Sequence, residues 1–400
     1  MSKYVFDLIE KEAERQRDSV NLIASENLAS DDVLRALGSC LTNKYSEGYP
    51  AKRKTGKRGR YYGGCEIVDE LEEYCCMQWK RVFCTDYHVN VQPHSGSQAN
   101  AAAYAALLQP GDTVLSLDLS NGGHLSHGSP VNFSGKLYNC VFYGLIDYGT
   151  INYGDIARKI AEFHPRLVLA GASAYSREID FRRIKLLIED AKLTNPFYQE
   201  NPLYFMADIA HTAGLVAAGE HQSPFGLADV ITMTTHKTLR GPRGGLIFCK
   251  PEFAPYIDGA VFPGTQGGPL QNVIAAKAIA AEEVLTPEFI VYIRNVVENA
   301  KAMAEEFVRL GYDVVTGGTD NHMFMLDFSK THPNLTGRAV QEQLELHDII
   351  VNKNCVPNEK RHPSETSGIR IGTAAETTKG RQKSDFISLA RSIDCIIGEM

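Results

Sequence analysis

The chain has no C-x-x-C pair. Its nine cysteines lie scattered through 400 residues, at positions 40, 65, 75, 76, 84, 140, 249, 355 and 395. An odd, sparse set without that spacing argues against a disulfide scaffold and a zinc ribbon, and reduced thiols are the expectation. No apolar run approaches the roughly 18 residues that a membrane span needs. The opening MSKYVFDLIEKEAERQRDSV lacks the apolar core of a secretory signal, and Asp7, Glu10, Glu12 and Glu14 are unlike a transit peptide. A soluble, cytoplasmic protein is expected. Excess charge is small: 41 Lys+Arg against 48 Asp+Glu give −7, which provides no global attraction to nucleic acid or an anionic membrane. A Walker-type loop is missing too, since Thr55-Gly56-Lys57-Arg58 lacks the upstream Gly and the Ser/Thr after Lys. There is no internal repeat and no low-complexity tract.

What is present is ordinary globular composition, 44% hydrophobic and 22% charged, over a length suited to two or three domains of roughly 150 residues. Leu34, Leu37 and Leu41 are spaced as on a helix face, with Asp31 and Asp32 in its first turn. An irregular, basic stretch follows over 43–64. Helices are predicted over 65–80, 96–108 and 181–191. Strands are predicted over 113–117, 137–143, 167–172, 203–207, 230–234 and 246–249. Such alternation implies crossover units and a mostly parallel sheet. Further on, helices are expected over 272–284 and 288–310, then strands over 312–315, 323–328 and 369–371. The expected division is an N-terminal arm (1–60), a large domain (61–284) and a smaller α+β domain (285–400).

Two strand ends carry the strongest chemical signal. LYFMADIAH places Asp208 and His211 after an apolar run, and DVITMTTHKTLRGPRGG places His236-Lys237 after another. In a parallel sheet both open where ligands bind, beyond the carboxyl ends of the strands. A Lys that forms a Schiff base and an Asp that pairs with a pyridinium nitrogen are what pyridoxal phosphate requires. Either residue alone also reads as an ordinary strand-end acid or a surface lysine. In VQPHSGSQANAAAYAALL, Ser95, Gly96 and Ser97 open an Ala-rich helix, where free N–H groups favour a phosphate. They are equally common helix caps. In NGGHLSHGSP, His124 follows two glycines and suits a flat ring; with His127 it is short of the three ligands a zinc site needs.

Taken together, these stretches resemble serine hydroxymethyltransferase. The resemblance rests on NLIASEN (21–27), LTNKYSEGYP (41–50), RYYGGCE (60–66), VQPHSGSQAN (91–100), GGHLSHGSPVNFSGK (122–136), SAYS (173–176), THKTLRGPRGG (235–245), VFPGTQGGP (261–269), GGTDNHMF (317–324), VNKNCVPN (351–358) and TSGIRIGT (366–373), in family order. It implies an α/β fold of the aminotransferase type (fold type I): a mostly parallel, seven-stranded-type sheet flanked by helices, plus a smaller α+β domain. It implies reversible transfer of a one-carbon unit from serine to tetrahydrofolate. Lys237 would carry pyridoxal 5'-phosphate covalently, Asp208 would pair with its ring nitrogen, His124 would stack on it, and His211 would contact the cofactor or the substrate. Ser95, Gly96 and Ser97 would bind the phosphate; Ser173, His236 and Arg243 would also line the cofactor. Gly267, Gly268 and Tyr45 would arrive from a partner subunit, making at least a homodimer. Arg370 and Ser25 would hold the substrate carboxylate. Glu47, with Tyr62, would be the acid/base group, and Tyr61, Leu119, Gly123, Leu125 and Asn354 would line the folate pocket. No metal is implied. A folate-independent 3-hydroxy amino acid aldolase and a silent binding paralogue are the competing readings.

The sequence departs from the family in three places. AKRKTGKRGR replaces a short link between GYP and YYGG, making a basic stretch from Lys52 to Arg60. A solvated loop is one expectation, attraction of an anionic polyglutamate tail a second, and displacement of Tyr61 and Tyr62 a third. RNA contact is less supported, because no aromatics interleave the charges. Ala172 stands where many members have an aromatic residue. The chain ends 20 residues after Gly380, which raises the expectation of a small domain without a final helix.

Overall fold

In the computed structural model, which describes residues 3–50, 59–146 and 149–400, seven short strands form one sheet. They are β1 (His88–Asn90), β2 (Thr113–Leu117), β3 (Asn139–Tyr143), β4 (Leu167–Gly171), β5 (Tyr204–Asp208), β6 (Val230–Thr234) and β7 (Gly245–Cys249). Their order is β1-β7-β6-β5-β4-β2-β3. From β6 to β3 every pairing is parallel. At the other edge β7 runs antiparallel to both β6 and β1. The reversal has a simple cause: residues 235–244 are too few for the crossover of about a dozen residues that a parallel return needs.

The helices that matter to the site are α1 (Lys3–Asp18), α2 (Glu66–Val82), α3 (Gly96–Leu107), α4 (Gln271–Val284), α5 (Pro287–Arg309) and α6 (Lys383–Gly398). Both faces of the sheet are covered, which is why its strands read as continuous apolar runs. Leu167 and Leu169 of β4 pack with Ala99, Ala102, Ala103 and Tyr104 of α3. Val168 and Ala170, pointing the other way, join a cluster that holds Trp79, Ile231 and Ile274. Each fully buried aliphatic side chain of this kind stabilises by about 1.5–3 kcal/mol relative to exposure.

A second, antiparallel sheet contains β8 (Asp313–Val314), β9 (Met323–Asp327), β10 (Asn352–Asn354) and β11 (Gly368–Gly372), ordered β10-β11-β9-β8. Its core includes Phe324, Leu326, Ile369 and Ile371. Helix α5 serves both cores: Phe289, Ile293 and Val296 enter the first, and Met303, Ala304 and Phe307 the second.

Three sequence expectations need correction. The small domain does not lack a final helix: α6 buries Phe386, Leu389, Ala390, Ile393 and Ile397. The strand expected over 137–143 begins at Asn139, because Phe133–Leu137 closes as a helical turn in which the Asn132 side chain accepts the Ser134 N–H. The helix expected through Leu34, Leu37 and Leu41 ends at Leu37, with Leu41 in a separate helical turn, and its buried side chain is Val33 while Leu34 is exposed. No helix among the described residues is long and apolar enough to cross a membrane.

Candidate active site

Asp208 ends β5 and Lys237 lies three residues beyond β6, its parallel neighbour. Both open into a cavity of about 770 Å³ at the carboxyl ends of these strands. The turn before α3 supplies Ser95, Gly96 and Ser97 to the same cavity; His236 and Arg243 flank Lys237. The loop after β2 brings Leu119, Gly123, His124 and Leu125, and the loop after β4 brings Ser173. Ser25 comes from the N-terminal segment, and Asn354 and Arg370 from the small sheet, with His211, whose Nδ1 lies 3.2 Å from His322 Nε2, also in the lining. Two glycines are required by close approach. A Cβ on Gly122 would lie 2.3 Å from the Ala174 carbonyl oxygen, and one on Gly123 would lie 2.2 Å from that of Leu117.

The charges are arranged for anions. Lys237, Arg243, Lys353 and Arg370 line the cavity against Asp208 and Glu26. Burial works to raise the Asp208 carboxyl, but hydrogen bonds from His127 Nε2 (2.9 Å) and Asn100 Nδ2 (2.9 Å) outweigh it and hold the group well below the usual carboxylate range. His127 Nδ1 accepts the His124 N–H (3.2 Å), so its proton sits on Nε2 and points at Asp208. Burial, opposed by Asp208, pushes Lys237 down to about 8. Burial also pushes His124 down to about 4 and His236 to about 3, so both rings are neutral at pH 7. Arg370 is lowered to about 10 by burial and stays cationic. Its Nε donates to Asn352 Oδ1 (3.1 Å) and Nη1 to the Ser173 carbonyl (2.6 Å). Among the described residues it has no carboxylate partner.

Six expected site residues are absent from this cavity. Tyr45, Glu47, Tyr61, Tyr62, Gly267 and Gly268 assemble a second cluster. The Tyr62 ring packs edge-on against Tyr45 (5.1 Å) and Tyr61 (5.4 Å). The Tyr45 hydroxyl donates to Glu47 Oε1 at 3.4 Å. A Cβ on Gly268 would meet the Tyr45 ring at 3.1 Å, and one on Gly267 would meet Glu47 Oε1 at 3.3 Å. Tyr61 is 84% exposed and Tyr45 54%, unusual for rings meant to grip a ligand within one chain.

The family model of serine hydroxymethyltransferase matches residues 1–393 of the chain. The chain belongs to the serine hydroxymethyltransferase family. That makes it a one-carbon transferase of a family that uses pyridoxal phosphate and folate to interconvert serine and glycine. The residues present fit that cofactor: a helix N-terminus with small residues, a buried Lys without a hydrogen-bonded acid, and the buried His236 Nδ1 left without a partner. Sequence reasoning missed Asn100 and underused His127, the two donors that fix Asp208. Asn100 lies four residues after Gly96 on the buried face of α3, a signal available from helix periodicity. Asn352, two residues before Asn354, shares a strand face with it, and it orients Arg370.

Most of the basic stretch, residues 52–58, lies outside the described residues. Arg60 is described, and it is no surface charge. It is 7% exposed, donating to Glu72 Oε2 (2.7 Å), Asp69 Oδ1 (2.8 Å) and the Ser46 and Gly48 carbonyls. It thereby ties the segment of Glu47 to that of Tyr61 and Tyr62. Arg60→Met should cost about 3–5 kcal/mol, because Glu72 would stay buried without its cation. Urea unfolding checks this; an unchanged midpoint would show that the pair contributes nothing.

Proposed function

We propose that the protein transfers the hydroxymethyl carbon of serine reversibly to tetrahydrofolate, giving glycine and methylene-tetrahydrofolate, with pyridoxal phosphate attached covalently at Lys237. The supporting observation is that Lys237, Asp208 and Arg370 share one cavity in which neither cation is ion-paired to a carboxylate among the described residues. When bound, the cofactor supplies an electron sink for the carbanion formed at the substrate. Asp208, held ionised, would keep a proton on the ring nitrogen. The neutral His124 ring would stack on the cofactor, with Ser173, His236 and Arg243 also lining its site, and Ser95, Gly96 and Ser97 would bind the phosphate. Arg370 binds the substrate carboxylate with Ser25 beside it, and His211 contacts the cofactor or the substrate. Leu119, Gly123, Leu125 and Asn354 line the pterin side.

In this reading the enzyme is a cytoplasmic homodimer, or a tetramer made of two such dimers. The cluster of Tyr45, Glu47, Tyr61, Tyr62, Gly267 and Gly268 completes the cavity of a second copy. There Gly267 and Gly268 close the phosphate site, Tyr61 joins the pterin pocket, and Glu47 with Tyr62 moves the proton at the serine hydroxyl. The exposure of the three tyrosines supports this. The chain is divided into an arm (1–60), a large domain (61–284) and a small domain (285–400). Serine cleavage measured with and without tetrahydrofolate tests the reading. Strong folate dependence is expected. Equal rates would point to a folate-independent aldolase, and no turnover to a silent paralogue.

A further inference from the structure

Lys277 is a buried cation to which the reading above gives no role. It lies on α4, is 1% exposed, and makes no ion pair among the described residues. Its Nζ instead donates to three backbone carbonyls: Val91 (2.7 Å), Gly245 (2.9 Å) and Pro93 (3.0 Å). An ammonium has three N–H donors and no acceptor, so its capacity is filled. Burial, opposed by Cys75 and Glu72, lowers it to about 8, which leaves it mainly protonated at pH 7.

The place where it binds is informative. β1 pairs with β7 only as far as Asn90 and Ile247. Beyond that the regular ladder ends in one further bond, from the Gly245 N–H to the Pro93 carbonyl at 3.1 Å; Pro93 has no N–H to continue it, and the chain turns into Ser95, Gly96 and Ser97. Buried carbonyls must be satisfied, and at this junction Lys277 donates to three of them, one of which, Pro93, also accepts the Gly245 N–H. The packing leaves it no freedom: a Cβ on Gly244 would lie 2.4 Å from Lys277 Cε. On the other side, a Cβ on Gly245 would lie 2.4 Å from the Ser95 carbonyl oxygen. The ammonium therefore holds the carbonyl of the residue on which Ser95 rests.

We infer that Lys277 is a positioning residue for the phosphate end of the cavity, clamping the junction of β1 and β7 so that the Ser95–Ser97 turn is fixed and carries a buried positive charge behind it. This rests on the cofactor reading above. Its distinctive consequence is selective: losing Lys277 weakens binding of the cofactor's phosphate more than binding of its ring and aldehyde.

The test compares pyridoxal phosphate with pyridoxal, which lacks the phosphate, binding to the cofactor-free protein, read by visible absorbance. Lys277→Gln keeps two donors and loses the charge; Lys277→Met loses both. In either folded variant the Kd for pyridoxal phosphate is expected to rise about tenfold or more, while that for pyridoxal changes less than about twofold. Should both fail to give a cooperative thermal transition, Gly244→Ala, which crowds Lys277 Cε and Nζ and the Thr235 hydroxyl, is read the same way. A ratio of the two constants unchanged from wild type in the folded variant overturns the inference, as does an equal loss for both ligands, which a merely structural lysine would produce. A wild type that binds neither ligand, or both equally, overturns the cofactor reading instead.

Discussion

Lys237→Ala is expected to abolish the visible absorbance that the wild type shows with pyridoxal phosphate, and to lower serine cleavage by about 10³-fold or more. The backbone of Lys237 is held, since its carbonyl accepts the Asn27 side-chain N–H at 2.8 Å; truncating the side chain should leave the loop in place. The reaction of this amine with an aldehyde needs its neutral form. With Lys237 at about 8, the rate of cofactor attachment should climb up to about pH 8 and then level, whereas an unperturbed lysine would keep climbing towards 10.5. Stability of the cofactor-free protein follows the same group with a definite sign. Between about 8 and 10.5 the unfolded chain binds the proton that the folded chain has released, so stability rises with pH across that window. Lys277, also lowered to about 8, shares the window, so Lys237→Ala should flatten the slope without removing it. Matching spectra of wild type and variant would sink the cofactor assignment.

The residues of this chemistry were legible in the sequence because strand ends are local features. The strands at Thr113–Leu117 and Val230–Thr234 match their apolar runs to the residue. β1 was not legible: three residues, His88–Asn90, carry no apolar run, and the strand exists only because β7 pairs with it. Helix α6 is legible in the residues: Phe386, Leu389, Ala390, Ile393 and Ile397 keep helical spacing, a local signal that chain length does not carry. The partners of Asp208 were hidden for a different reason. Asn100 and His127 are 108 and 81 residues away from it, and no local pattern reports such a contact. Arg60 shows the limit of composition: as one of six basic residues between Lys52 and Arg60 it reads as solvated charge, yet Glu72 across the fold buries it. The separation of Tyr45, Glu47, Tyr61 and Tyr62 from the main cavity is likewise a fact of chain geometry that motif order does not encode.

Arg370→Lys should raise the KM for serine by about tenfold to a hundredfold while leaving the visible absorbance with pyridoxal phosphate intact. The guanidinium is set by its strand. In β11, Arg370 sits opposite Asn352 on one side and Met325 on the other. Two of its five N–H groups are spent on Asn352 Oδ1 and the Ser173 carbonyl. The remaining donors can meet a carboxylate in two parallel hydrogen bonds, a geometry that a flexible ammonium does not reproduce. Lysine preserves the positive charge, so the loss measures the fork rather than the field. Arg370→Ala should cost more, about 10³-fold in kcat/KM, because it removes the charge and leaves the Ser173 carbonyl short of a donor. Serinamide separates this role from general support of the fold. It lacks the carboxylate, so wild type should bind it weakly and both variants should bind it no worse than wild type does. If the variants lose serine and serinamide in equal proportion, Arg370 is holding the small sheet to the Ser173 loop and the substrate carboxylate has another partner.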